Sequence, residues 1–208
     1  MDNSNNFINI KYELKNKIAY IIPYKESDNS RLRNLLFIIK YTIDYYKFIN
    51  IYIIEQDTNR KLLNNEKIKK YIKDKLINYD FLYKKSESID RANMFNCAIK
   101  YFIKNEEILI MGDSDIPLMN NINKLFKYII DEKYYFISPY TKISKLNKQN
   151  TINFISKRII KNTDINHLYT LSGGILIVNR KIFENMGLWY EFNYYGCEDR
   201  ALDVIIEY

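Results

Sequence analysis

What the sequence lacks narrows it first. It has two cysteines, five glycines, three prolines and one histidine. Cys97 and Cys197 form neither a metal-ligand spacing nor a disulfide framework, which fits a reducing, intracellular setting. Residues 1–6 are polar, and no apolar segment of signal-peptide type follows them. No run reaches the roughly 20 apolar residues needed to span a bilayer. The expectation is a cytoplasmic chain with no secretory anchor or membrane span of its own. His167 falls in a patternless stretch and reads as a loop residue without a role. The shortage of glycine and proline accompanies 20 tyrosines and an abundance of isoleucine, asparagine and lysine. That bias reads as coding from AT-rich DNA, so single Tyr and Asn residues carry little functional weight.

The 208 residues suit one large domain or two small ones, and 47% hydrophobic content is enough for a core. Thirty-two basic against 25 acidic residues leave a net charge of +7. This suits an anionic small ligand and gives only weak support to nucleic-acid or anionic-membrane contact. The lysines are dispersed over helix-like segments, as on a solvated surface. Nucleic acid is not expected as a partner.

Strands and helices alternate along the chain. Residues 1–17 read as a lead-in. Ile18-Ala19-Tyr20-Ile21-Ile22 is an apolar run closed by Pro23, hence a buried strand and then a loop. Leu32, Leu35, Leu36, Ile39 and Ile43 recur at helical spacing over about residues 30–47. A second strand covers residues 51–57 and ends in Glu55, Gln56 and Asp57. A Lys-rich helix over about 64–75 and a short strand at 81–83 follow. Ser88 or Asp90 can cap a helix through about residue 104, with Arg91 in its first turn. A cation there opposes the helix dipole and costs stability unless an anion sits nearby. Further on, a helix spans about 120–131, a strand lies at 135–138, and residues 140–168 read as excursions or a loop. A strand at 175–178 and a short helix stopping at Gly187 precede a final helix from Asp199. No repeat or linker divides residues 18–208. The class is α/β, a mostly parallel sheet flanked by helices.

The centre of this pattern is Ile108-Leu109-Ile110-Met111-Gly112-Asp113-Ser114-Asp115. Its continuous apolar run reads as a strand buried on both faces. Gly112 can let the chain turn sharply, and two carboxylates then land at the strand's carboxyl edge, where open α/β sheets bind ligands. Carboxylates so close repel unless a cation accompanies them. Hard oxygen donors suit Mn2+ or Mg2+, which can also hold phosphate oxygens. Asp-Ser-Asp is equally a turn and helix-cap sequence, so both readings stand on this motif alone.

Five motifs in order resolve the choice: Pro23-Tyr24-Lys25, Arg91-Ala92-Asn93-Met94-Phe95-Asn96, Asp113-Ser114-Asp115, Ser172-Gly173-Gly174 and Gly196-Cys197-Glu198-Asp199. Together they resemble a glycosyltransferase of the GT-A fold, nearest the beta-1,4-galactosyltransferase and chondroitin-synthase type, with the wider family-2 enzymes behind it. The resemblance covers about residues 18–207. It implies an inverting, metal-dependent transfer of a sugar from a nucleoside diphosphate, UDP first among them, to a hydroxyl of a glycan or other acceptor, with Mn2+ or Mg2+ as cofactor.

The resemblance also implies roles. Pro23, Tyr24 and Lys25 match the loop that holds the nucleotide, with Lys25 where the family has arginine and bidentate phosphate binding is lost. Arg91 matches the arginine that meets the diphosphate. Asp115 matches the direct metal ligand, and Asp113 a residue shared between ribose and metal. Gly173 and Gly174 match the backbone floor under donor sugar and acceptor, and Tyr195 stands where a tryptophan stacks on the acceptor. Glu198 and Asp199 match the acidic pair that holds the acceptor and supplies the base. Glu55, beside Gln56 at the end of the second strand, is a candidate for the base or ribose. The family supplies a further metal ligand, often histidine, downstream of this pair. His167 does not match it and the sequence ends at Tyr208, so either water completes the shell or the chain is a fragment of a longer parent. Lys25 and this missing ligand leave room for a rival, an inactive GT-A module that binds a nucleotide sugar or a partner. A nucleotidyltransferase would place a glycine-rich loop after the first strand, and residues 23–30 contain no glycine.

Overall fold

The computed structural model describes residues 14–85, 88–118, 122–140, 142–144, 146–157, 165–167, 174–191 and 202. Its centre is a six-stranded sheet. The strands are β1 (Ile18–Tyr24), β2 (Ile49–Asp57), β3 (Asn78–Tyr83), β4 (Ile108–Gly112), β5 (Phe136–Ile137) and β8 (Ile175–Asn179). They lie in the order β3-β2-β1-β4-β8-β5. The first four run parallel, and β8 runs antiparallel to both of its neighbours. β1 and β4 are buried at every position. That is why each reads as an unbroken apolar run rather than an alternating one.

Alternate residues of these strands feed two cores. Ile18, Tyr20, Ile22, Tyr24, Ile53, Ile108 and Ile110 face one side, under α1 (Asn29–Tyr45), α2 (Glu66–Lys73) and α4 (Asn123–Ile130). Ala19, Ile21, Ile54, Leu109 and Met111 face the other, under α3 (Arg91–Cys97) and α6 (Arg180–Asn185). Three layers result, with the carboxyl ends of β1, β2 and β4 on one edge. The expected mostly parallel α/β sheet is therefore present.

Helix starts follow their caps. The Asp28 carboxylate accepts from Ser30 N (2.8 Å) and Arg31 N (2.9 Å), and Asn65 and Asp90 cap α2 and α3 in the same way. The Lys-rich helix expected over 64–75 is shorter, because Asn65 caps it after a separate 3-10 turn, Leu62–Asn64. The helix expected through residue 104 changes to a π-helical turn at Ala98–Phe102.

The largest departure is residues 140–168. Rather than a patternless loop, this stretch holds the two-stranded ladder of β6 (Lys142–Ser144) and β7 (Ile165–His167) and the ten-residue helix α5 (Lys148–Lys157). Phe154 is the buried residue of α5, and its ring meets Phe37 of α1 at 5.6 Å. One anchoring residue leaves no apolar periodicity to read.

Candidate active site

The carboxyl edge of β4 carries the acidic pair. Asp113 follows the strand directly, and its N–H donates to Gly174 O (2.8 Å), extending the β4–β8 pairing by one step. The chain then turns, with Ile116 N donating to Asp113 O at 3.4 Å. Ser114 is buried at the turn and Asp115 is exposed. Across from them, Arg91 Nε lies 3.1 Å from Asp113 Oδ1, with the guanidinium side chain only 9% exposed. The Arg91 guanidinium also sits 5.8 Å from the centre of the Phe95 ring, one turn on along α3. The first-turn cation thus has its anion.

Gly112 serves a purpose other than a sharp turn. It belongs to β4 and pairs with Ile175. A Cβ there would lie 2.7 Å from Tyr20 Cε2 and 2.9 Å from the Tyr20 hydroxyl oxygen. The glycine makes room for a buried phenol. At Gly174 φ is +127°, and a Cβ would collide with the Tyr140 hydroxyl. That hydroxyl accepts from Ile175 N at 3.0 Å.

The ends of β1 and β2 form the neighbouring wall. Tyr24 is fully buried and its hydroxyl has no hydrogen-bond partner among the described residues. Burial, then Glu26 and Glu55, push its pKa far up, so it stays a neutral donor. Gln56 is buried too. Its Oε1 accepts from Asp90 N (2.9 Å), while Nε2 has no partner among the described residues. Asp57 accepts from Thr58 N (2.7 Å) and pairs with Lys61 Nζ (2.9 Å). Burial opposes its charge, but Lys61, Thr58 N–H and the nearby Lys25 together hold its pKa below the usual carboxylate range.

Glu55 is committed inward. It is fully buried, accepting from Leu62 N (3.0 Å) and from the Tyr79 hydroxyl (2.6 Å). Burial raises its pKa against the pull of these donors. It ties β2 to β3 and to the 3-10 turn, at the margin of the site.

One further residue escaped the sequence reading. Asn96, last in the quoted α3 motif, clamps a segment far along the chain. Its Nδ2 donates to Trp189 O (2.9 Å) and to Glu191 Oε1 (2.7 Å), and its Oδ1 accepts from Trp189 N (3.1 Å). Phe95 stacks on Trp189 at 5.9 Å, and the Trp189 indole N–H points at Met111 S (2.9 Å). The helix that places Arg91 at the acidic pair therefore also fixes the stretch entering residues 192–201. Asparagine enrichment hid this signal.

No family model and no curated protein matches the sequence. Solved structures do match the fold. GalNAc-T7 with UDP, GalNAc and Mn2+ aligns over 91% of this chain with a TM-score of 0.61 and 16% identity. Staphylococcus aureus TarS 1–349 aligns over 91% with a TM-score of 0.58 and 12% identity. The mannosyltransferase PcManGT from Pyrobaculum calidifontis, in complex with GDP-Man and Mn2+, aligns over 88% with a TM-score of 0.51 and 12% identity. The chain has a GT-A fold. It spans 40%, 54% and 49% of the length of those three chains, respectively.

Within this GT-A sheet, Pro23, Tyr24, Lys25, Arg91, Asp113, Asp115 and Gly174 all lie at the carboxyl edge or on the elements bordering it. Glu55 ends β2 beside them. Gly173, Tyr195, Glu198 and Asp199 lie outside the described residues. Among the described residues, no group of three or more His, Cys, Asp or Glu side chains gathers as metal ligands. Asp113 and Asp115 together offer hard oxygen donors, and Asp115 has no hydrogen bond or ion pair among the described residues. This donor set fits Mn2+ or Mg2+ if phosphate oxygens and water complete the shell. No helix among the described residues is long and apolar enough to cross a membrane.

Proposed function

We propose that the protein is an inverting, divalent-metal-dependent glycosyltransferase. Its donor is a nucleoside diphosphate sugar, UDP first, and its acceptor a hydroxyl of a glycan or other molecule. The observation that carries this reading is the buried Arg91 set against Asp113, with exposed Asp115 two residues on. A desolvated guanidinium beside two carboxylates at a sheet's carboxyl edge provides for both charges of a metal diphosphate. The nucleotide-sugar and Mn2+ ligands of the structural neighbours support it.

Each residue then has a task. Asp115 and Asp113 would hold the cation, which supplies charge neutralisation for the departing diphosphate. Arg91, with Lys25, presents fixed positive charge to the same oxygens. Pro23 and Tyr24 border the nucleotide, and the unpartnered Tyr24 hydroxyl is available to it. Glu55 supports this wall from behind. The acceptor hydroxyl oxygen attacks the anomeric carbon as the carbon–oxygen bond to the diphosphate breaks. Asp199 takes the hydroxyl proton, Glu198 holds the acceptor, and Gly173, Gly174 and Tyr195 shape the sugar subsites. Aspartate is a weak base at its usual pKa near 4, so proton transfer comes late or burial beside Glu198 raises that value.

The test is incubation with a panel of UDP- and GDP-sugars and Mn2+, with the anomeric configuration of the product read by NMR. Inversion is expected. Retention would remove Asp199 as the base. Saturable donor binding without transfer or hydrolysis would instead favour an inactive GT-A module.

A further inference from the structure

We propose that Tyr20 is a positioning residue for the divalent cation at Asp113 and Asp115. The inference rests on the functional reading above and adds to it a residue from a different strand. Tyr20 sits in the middle of β1, fully buried, in register with Ile110 of β4. Its ring occupies the space that Gly112 leaves open. Its hydroxyl donates to Ile116 O at 3.3 Å, the carbonyl directly after Asp115. Three contacts among the described residues thus anchor the Asp113–Asp115 turn: Asp113 N–H on Gly174 O (2.8 Å), the Asp113 carboxylate on Arg91 (3.1 Å), and Ile116 O on the phenol. Only the third lies on the far side of Asp115.

A plain core aromatic would account for the ring but not for the hydroxyl. Phenylalanine would fill the same volume without burying a polar group. The hydroxyl is instead a buried donor under the acidic turn. Holding the turn before the cation arrives reduces the ordering that binding must otherwise impose. Among the described residues the Asp115 side chain makes no hydrogen bond or ion pair. The held backbone at Ile116 is the constraint next to it along the chain.

The experiment is a Mn2+ titration in the presence of UDP, followed by the electron paramagnetic resonance of free Mn2+. It compares the unmodified protein with Tyr20→Phe, Gly112→Ala and the double variant, with circular dichroism and Tm recorded for each. Tyr20→Phe is expected to keep the fold and weaken Mn2+ binding by about three- to tenfold, the range of one lost hydrogen bond. Gly112→Ala displaces the ring and should weaken Mn2+ binding too, and the double variant should lose less than the product of the two effects. A Tyr20→Phe protein with lowered Tm but Mn2+ affinity unchanged within twofold overturns the inference and leaves a purely structural tyrosine. So do fully multiplicative losses in the double variant. If Tyr20→Phe does not fold, Gly112→Ala decides alone: unchanged Mn2+ affinity overturns the inference. Failure of the unmodified protein to bind Mn2+ overturns the functional reading, and this inference with it.

Discussion

Asp115 offers the cleanest separation of function from folding. It is exposed, and its side chain has no hydrogen bond or ion pair among the described residues. Asp115→Asn should leave stability within about 0.5 kcal/mol in urea unfolding. The same change should abolish metal-dependent donor turnover, and retained turnover would refute the metal assignment. Glu55→Gln probes a carboxylate of the opposite kind. A glutamine there can accept from Leu62 N and donate to the Tyr79 oxygen, replacing both contacts. The folded pKa of Glu55 lies above its unfolded value. Glu55 thus lowers stability as pH rises through the unfolded value, near 4.3, and then through the folded one. The variant should gain on the native protein between pH 4 and pH 8, with the gap widest at pH 8. A gap that narrows with rising pH would contradict this. At this scale the sequence was legible in position where local spacing decides it, as for Asp113 and Asp115 after β4 and Arg91 in the first turn of α3. Tyr20 and Asn96 were not, because their partners Ile116 and Trp189 lie 96 and 93 residues away.

Elements were legible in proportion to their apolar periodicity. β1, β2 and β4 are continuous apolar runs, and α1 has a regular stripe with Asp28 as its cap. α5 has one buried residue and gave no signal. The break between the 3-10 turn and α2 was hidden by a lysine-rich surface that hardly varies along the segment. The weak anchoring of α5 has a consequence that hydrogen exchange can read. Phe154→Ala removes the ring that meets Phe37. Protection in residues 148–157 should drop, while β1 and β4 keep theirs. Equal loss in β4 would mean that this excursion is integral to the sheet. α3 is the element with the most to coordinate, since Arg91 at its start meets Asp113 and Asn96 holds Trp189.

The two edges of the sheet divide the molecule's labour. At the amino-terminal edge of β4, Glu106 accepts from Asn50 Nδ2 (2.8 Å) and the Tyr52 hydroxyl (2.7 Å). Arg180 closes the same edge by donating to the carbonyls of Ile99, Ile103, Lys104 and Glu106. Those polar groups satisfy one another, as scaffolding should. At the carboxyl edge, Asp115, the Tyr24 hydroxyl and Gln56 Nε2 have no hydrogen-bond partner among the described residues. Glu106→Gln therefore tests the first edge without touching the second. Burial opposes the Glu106 charge, but Tyr52 and Asn50 outweigh it and its pKa lies below the ordinary value. Its stabilisation is present above the unfolded pKa and is lost as pH falls through the folded one. The variant should lose about 1–3 kcal/mol at pH 7, less in acid, with donor affinity unchanged. The central claim is tested most directly by calorimetric titration of the protein with UDP, in Mn2+ and again in EDTA. The account predicts saturable one-to-one binding with Mn2+ that EDTA removes or weakens at least tenfold. Equal binding under both conditions, or none under either, would contradict it.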